Sequence, residues 1–439
     1  MVNIEKDAAV IARGRRTAAK AQPEYFTLDE ALAVLEVRPQ TLYAYVSRGL
    51  IRRVPAASGR SSLYLRADVE QAKARSAARV RGPRAQQKAL NLGESALLTG
   101  ITEITSRGPR YRNRHALSFA REGCGFEAVA EYLWGGDWDG AAHGWYEVPH
   151  HEQALDVVRV AAAMRPQVHI LELFKVAATA LGISEGSRKE RLMRGEAAVS
   201  AGRRLIRVMA GMFGFLAPQR RYEPLSPGEP VAAALARIFG HEQDAGMVAA
   251  LDRALVLVAD HEINPATFAA RIAASTHADL NSCLAAALSV HYGRRTCDAV
   301  GALLSPSASR ESLVARLRGH IDTDRSPPGF NHLLYPNGDP RAAYLIELAA
   351  ERAGTGSEVR ATLDLVAELE RVYGLRPKVD LGLVLLVRAL GLPDQAASGL
   401  FAFGRSAGWV AHVLEQRLAG FMFQPRTLYY PSTPAQPKN

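Results

Sequence analysis

Cysteine is scarce, with three in 439 residues (Cys124, Cys283 and Cys297), odd in number and without a clustered ligand spacing. That argues against a disulfide scaffold and a structural zinc site, and it points to a reducing, cytoplasmic compartment. No run of about 18 apolar residues occurs, so no membrane span is expected. The opening MVNIEKDAAVIARGRRTAAK mixes acids with bases and lacks the apolar stretch of a signal peptide. Also missing are GxxxxGK with a following Ser or Thr, GxGxxG after a strand, HExxH and any CxxC pair. Phosphate-loop and zinc enzymes therefore have little support, and no metal is expected. No fixed-period repeat is evident. What is present is ordinary: 48% hydrophobic and 22% charged residues, which excludes bulk disorder. At roughly 150 residues per domain, two or three domains are expected, with a core of normal size.

The charge is unevenly placed. The chain carries a net +10, and residues 1–90 hold 17 Lys and Arg against 8 Asp and Glu. The rest is nearly neutral, with 37 bases and 36 acids. A small basic unit joined to a large neutral one suggests a nucleic acid or another polyanion as partner for the small unit. The alternative is a basic solvated surface with no partner.

Within those ninety residues, Thr27-Leu28-Asp29-Glu30 reads as a capping box opening a short helix. Glu36-Val37-Arg38 reads as a turn, Pro39 suits the first position of a second helix, and Gly49 is placed to end it. Leu50 to Val54, Ser58-Gly59-Arg60 and Leu63-Tyr64-Leu65 read as a hairpin or wing, and Asp68-Val69-Glu70 opens a third helix. FTLDEALAVLEVRPQTLYAYVSRGLIRR and the later SLYLRADVEQA resemble the winged helix-turn-helix of the MerR and excisionase families. In such domains the second helix enters the major groove. The resemblance implies that Gln40, Thr41, Tyr43, Ala44 and Arg48 face DNA and that Arg52, Arg53 and Arg60 reach phosphates. The competing reading is a helix pair kept for packing or oligomerisation, with Tyr43 and Tyr45 in the core. The domains expected here are a flexible basic N-terminus (1–22), the winged unit (23–75) and a basic linker (76–90).

Beyond residue 90, apolar residues recur with helical period, as in Phe126–Trp134, Val157–Met164, Cys283–Leu288 and Ala361–Tyr373, and strand-like alternation is scarce. Four short motifs stand out: Asp260-His261-Glu262 with Asn264; Gly329-Phe330-Asn331-His332, followed by Leu334-Tyr335 and Asp339-Pro340-Arg341; Lys378-Val379-Asp380; and Phe403-Gly404-Arg405-Ser406-Ala407-Gly408-Trp409, followed by His412. Two His, an Asp and two Arg, several in Gly- and Pro-punctuated loops, suit a small polycarboxylate. Arg forks bind carboxylates bidentately, while His and Asp supply acid–base groups. His412 reads as helix packing.

In order and spacing these motifs resemble citrate synthase, from about residue 90 to 432 and ending in Pro425-Arg426-Thr427-Leu428-Tyr429. The resemblance implies a mainly α, dimeric fold. Its large domain would span 91–292 and 381–432, its small domain 293–380, and a tail 433–439 would follow. It implies condensation of oxaloacetate, or a related 2-oxoacid, with acetyl-coenzyme A or another acyl-coenzyme A as substrate, and no cofactor. Carried over by motif, His261 binds oxaloacetate and His332 polarises and protonates its ketone. Arg341 and Arg405 clamp carboxylates, and Asp380 takes the methyl proton, with Lys378 where the family has Asn.

Two departures matter. The family's second acid–base His, about 35 residues after that of the DHE motif, would fall at Thr296; alternatively, Cys297-Asp298-Ala299-Val300 aligns just past a deleted His-Gly-Gly. Removing one donor to the enolate oxygen typically costs ~10²–10³ in rate. Thr296, or Arg294 or Arg295, is the candidate replacement; His291, five residues early, belongs to the preceding helix. Gln424 stands where the family has an Arg that reaches the partner subunit's site. Reduced or altered activity is therefore expected. The rival readings are a DNA-binding transcription regulator whose degenerate synthase domain senses a metabolite, and an inactive partner in mixed dimers.

Overall fold

The computed structural model describes residues 25–47, 51, 53–55, 62–66, 68–69, 72–73, 97–138, 144–146, 159–161, 163, 168–184, 196–305, 317 and 327–424. The chain divides into two compact units, Met1–Ser95 and Ala96–Asn439. The 76–90 linker, the two terminal segments, Ser58–Arg60, Arg48, Arg52 and Pro425–Tyr429 lie outside the described residues.

In the smaller unit, strands β1 (Tyr25–Phe26), β2 (Arg53–Pro55) and β3 (Ser62–Leu65) form an antiparallel sheet in the order β1-β3-β2. Helices α1 (Leu28–Leu35) and α2 (Pro39–Ser47) lie between β1 and β2 in the chain. The capping box is present, with Thr27 Oγ1 accepting from Glu30 N at 3.4 Å and Thr27 N donating to Glu30 Oε2 at 2.8 Å. α1 stops because Glu36 turns left-handed (φ 55°), and α2 starts at Pro39. A small core of Phe26, Ala31, Leu35, Leu42, Ile51, Tyr64, Val69 and Ala72 closes the unit. Tyr45 packs against that core, whereas Tyr43, Gln40 and Arg53 are exposed.

The larger unit is mainly helical. It opens with an antiparallel sheet of β4 (Thr102–Thr105), β5 (Gly108–Tyr111) and β6 (Arg114–His115), which the sequence pattern did not suggest. Its helices are α3 (Ala116–Glu122), α4 (Phe126–Gly135), α5 (Ile170–Ser184), α6 (Glu196–Met212), α7 (Val231–Ile238), α8 (Ala245–Val258), α9 (Pro265–Ser275), α10 (Leu280–Arg294), α11 (Thr296–Leu303), α12 (Pro340–Arg352), α13 (Glu358–Tyr373), α14 (Val379–Ala389) and α15 (Gln395–Ala419). Among the described residues no helix is long and apolar enough to cross a membrane.

The 25-residue α15 is the axis, buried from Ala396 to Val413 except at Phe401. A helix buried on all sides must find partners within the fold for the polar side chains it carries, here Arg405, His412, Glu415 and Gln416. Gly404 and Gly408, one turn apart on a single face, let the end of α8 lie directly on α15. A Cβ at either would overlap Leu255 and Val258, or Ala259 and Asp260. Two carboxylates, Glu127 buried and Asp252 half-buried, hold helix starts that have no side-chain cap of their own: Glu127 accepts from Val231 N at 2.6 Å and Asp252 from Phe126 N at 2.8 Å. Such donors at helix N-termini need partners when buried.

Candidate active site

The site begins where α8 ends. Its last carbonyls are taken by side chains: Tyr111 Oη donates to Val256 O at 2.9 Å, and Arg405 Nε to Val258 O at 2.8 Å. The next residues, Asp260-His261-Glu262, leave the helix, with Glu262 left-handed (φ 58°). Asn264 then starts α9, its Oδ1 accepting from Ala266 N at 3.0 Å and Thr267 N at 3.1 Å, with Pro265 at the first position. Asn264 is thus a cap, and the tight exit aims His261 inward.

A second segment is fixed by pairing. Asn331 N donates to Arg376 O at 2.7 Å, Asn331 Oδ1 accepts from Arg376 N at 2.9 Å, and Lys378 N donates to Gly329 O at 2.8 Å. This zips Gly329–His332 to the strand-like approach to α14, where Asp380 occupies the second helical position and is buried. Gly329 (φ +83°) has no room for a Cβ against Val300 and Leu381, so the zipper needs glycine there. The zipper brings His332 and Asp380 close enough that the Asp380 charge acts on the imidazole.

The third element is the start of α12. Asp339 caps it, accepting from Arg341 N at 3.1 Å, and also grips the Arg341 side chain through Nε at 3.0 Å and Nη2 at 2.8 Å. Both side chains are buried, and Arg341 Nη1 is left without a partner. A buried donor with nothing to bond is costly unless something arrives to accept from it.

These elements converge. The His261 and His332 ring centroids are 5.4 Å apart, and Tyr335 stands 5.7 Å from the first and 5.1 Å from the second. Tyr335 Oη hydrogen-bonds His261 Nε2 at 2.9 Å, and Arg341 Cζ lies 5.6 Å from the Tyr335 ring. The sequence reading placed Tyr335 in the motif without a role.

Both imidazoles are held neutral. Burial, then Arg341 and Arg405, push His261 well below its ordinary value. Burial, Arg341 and Lys378 lower His332, against Asp339 and Asp380. Leu334 N donates to His332 Nδ1 at 3.1 Å, so the neutral ring carries its proton on Nε2. Burial pushes the Tyr335 phenol up to about 12, so it keeps its proton. Against burial, the Asp339 charge and hydrogen bonds raise Arg341. Burial pulls Arg405 below its ordinary value; Asp260 opposes that and Arg341 adds to it.

Thr296 stands at the first position of α11, and Cys297 beside it is buried. Burial, then the charges of Asp380 and Asp298, push the Cys297 thiol well up, so the first turn of α11 lies within electrostatic reach of Asp380. His291 is on α10, stacked at 5.2 Å on Phe401 and edge-on to Trp409 at 5.9 Å. Gln424 is exposed. His412 does more than pack, for its Nε2 meets Asp260 Oδ2 at 3.3 Å. Among the described residues, no group of three or more His, Cys, Asp or Glu is arranged to hold a metal ion.

A family model described as "Citrate synthase, C-terminal domain" matches residues 92–426. A 2-methylcitrate synthase of Mycobacterium tuberculosis is 26% identical over 328 residues, covering 70% of this chain and 80% of the relative. Citrate synthase 2 of Bacillus subtilis is 29% identical over 293 residues, covering 63% and 74%. Among solved structures, citrate synthase of Thermoplasma acidophilum, in a ternary complex with carboxymethyl coenzyme A and oxaloacetate, superposes with a TM-score of 0.64 at 20% identity. That match covers 80% of this chain and 97% of the other. Citrate synthase of Thermotoga maritima gives 0.60 at 21% identity, covering 79% and 96%.

Proposed function

The chain belongs to the citrate synthase family, and we propose that it condenses oxaloacetate, or a related 2-oxoacid, with acetyl-coenzyme A or another acyl-coenzyme A. The observation that carries this reading is the buried, partnerless Nη1 of Arg341 beside two neutral imidazoles. A fixed cation with a free N–H suits a carboxylate, and a neutral imidazole N–H suits a ketone oxygen.

In this reading Arg341 and Arg405 take the 2-oxoacid carboxylates. His261, steadied by Tyr335, fixes its orientation. His332 Nε2–H donates to the ketone oxygen and passes its proton there as the carbon–carbon bond forms, the ring regaining a proton from water. Asp380 removes the proton from the acyl carbon next to the thioester, and water then hydrolyses the condensed thioester, giving the tricarboxylate and free coenzyme A thiol. Holding both substrates in one closed site replaces a bimolecular encounter with a positioned one. Thr296, in the first turn of α11, is the candidate donor to the enolate oxygen in place of the family's missing His. The threonine hydroxyl has a shorter reach than the imidazole it replaces, so turnover is reduced. The subunits pair as a dimer, and 293–380 acts as a smaller lobe.

Mass spectrometry of the products formed from oxaloacetate with acetyl- or propionyl-coenzyme A tests the reading. The expected product is a tricarboxylate bearing the added acyl carbons. No such product from either pairing, in protein that is folded, contradicts it.

A second reading, a DNA-binding regulator that senses a metabolite through this site, is favoured by one observation. Nearly all the net positive charge falls in residues 1–90, where Gln40, Tyr43 and Arg53 are exposed. Salt-dependent DNA binding that shifts with oxaloacetate supports it, and its absence removes it.

A further inference from the structure

His412 is buried on α15 between two charged groups. Arg271 Nη1 approaches its Nδ1 at 3.3 Å. A guanidinium only donates, so Nδ1 is the acceptor and the imidazole proton sits on Nε2. That Nε2 faces Asp260 Oδ2 at 3.3 Å and donates to it. Arg271 is itself held, by Nη1 to Glu415 Oε2 at 2.6 Å and by Nε to Gln416 Oε1 at 3.0 Å, and Glu415 Oε1 accepts from Gly100 N at 2.7 Å. The result is a buried chain from Glu415 through Arg271 and His412 to Asp260.

Asp260 sits one residue before His261 and two after Val258, whose carbonyl holds Arg405 Nε. Its charge acts on Arg405, and Arg405 acts on it. A buried carboxylate that near a buried guanidinium closes onto it unless another donor holds it, because an unpaired buried charge is expensive. Two such donors face it, His412 and the Thr102 hydroxyl, and His412 is the stronger. Gly408 packs so tightly against Asp260 and the Ala259 carbonyl that the segment cannot retreat into α15.

We propose that His412 is a positioning residue: by holding Asp260, it keeps that carboxylate off Arg405 and leaves the Arg405 guanidinium for a substrate carboxylate. The proposal rests on the reading of Arg405 as a carboxylate clamp.

Two amides separate the two ring contacts. The amide of Asn reaches the Nδ1 position, towards Arg271; that of Gln reaches the Nε2 position, towards Asp260. Oxaloacetate binding is measured by calorimetry on the full chain, as wild type, His412→Gln, His412→Asn and the double variant Asp260→Asn/His412→Asn, with folding checked by circular dichroism. His412→Gln is expected to bind within about threefold of wild type and His412→Asn about tenfold or more weaker. The double variant is expected to return to within about threefold, because no carboxylate then competes for Arg405. A merely structural lesion is not mended by a second substitution. A folded His412→Asn that binds as wild type, a His412→Gln as weak as His412→Asn, or a double variant no tighter than His412→Asn overturns the proposal. If His412→Asn does not fold, the double variant decides by the same limits. Wild type that does not bind oxaloacetate overturns the functional reading itself, and this proposal with it.

Discussion

Asp339 carries two duties that can be separated. Its Oδ1 caps α12 by accepting from Arg341 N, and both oxygens grip the Arg341 guanidinium at 2.8–3.0 Å, with both side chains buried. Asp339→Asn keeps an amide oxygen for the cap and removes the charge. Opposite charges about 4 Å apart at an effective dielectric near 20 attract by about 4 kcal/mol. Breaking a buried pair by removing one partner typically costs about 3–5 kcal/mol, because the other charge is stranded. Asp339→Asn should therefore lose about 3–5 kcal/mol of unfolding free energy, and Asp339→Ala about 1 kcal/mol more for the lost cap. Against a typical total of about 5–15 kcal/mol this is a large fraction, so the variants should be folded but visibly weakened. Urea unfolding followed by circular dichroism measures it, provided the m-value is unchanged between variants. A loss below about 1 kcal/mol for Asp339→Asn would mean that Arg341 is not held by this charge, and the account of its orientation fails.

Other consequences follow from the same geometry. Tyr335→Phe removes the hydroxyl on His261 Nε2 and should weaken oxaloacetate binding about tenfold with little change in melting temperature; calorimetry showing no change contradicts the role given to Tyr335. Asp252 is raised by burial and by Glu127 to about 7, from an ordinary 3.8. Its contribution to stability is complete below its unfolded value and is lost as pH rises through about 7. Asp252→Asn, which keeps an acceptor for Phe126 N, should therefore melt higher than wild type at pH 8 and gain less at pH 5, and equal gains at both contradict the shift. His332 is lowered from 6.5, so the acid limb of kcat/KM that it sets should lie below pH 6.5. A rate profile whose acid limb lies above 7 is inconsistent with a neutral His332. Gly408→Ala forces a methyl into Asp260 and the Ala259 carbonyl and should cost about 1–3 kcal/mol, read as a drop in melting temperature.

Much of the candidate site's local structure was legible because its residues come in short, punctuated motifs. Asp339-Pro340-Arg341 is a cap, a helix-starting proline and a side chain that returns to the cap, all within three residues. Asn264-Pro265 marks the start of α9 in the same local way. The helices over Phe126–Gly135 and Glu358–Tyr373 follow from apolar period alone. What was not legible depends on residues far apart in the chain. Tyr335 meets His261 across 74 positions and His412 meets Asp260 across 152, and neither spacing leaves a periodic trace. The β4–β6 sheet was missed because its strands are two to four residues long, too short for alternation to register. Lys378-Val379-Asp380 reads as a site motif, but only the pairing of Asn331 with Arg376 brings Asp380 towards His332.

The central claim is that this site removes a proton from an acyl-coenzyme A and joins the carbanion to a bound 2-oxoacid. Its most direct test is the release of free coenzyme A thiol by purified protein given oxaloacetate with acetyl- or propionyl-coenzyme A, with Asp380→Ala run beside it. The account predicts slow, oxaloacetate-dependent release that disappears in Asp380→Ala. Release that persists in the variant, or none from a folded wild type that binds oxaloacetate, contradicts it.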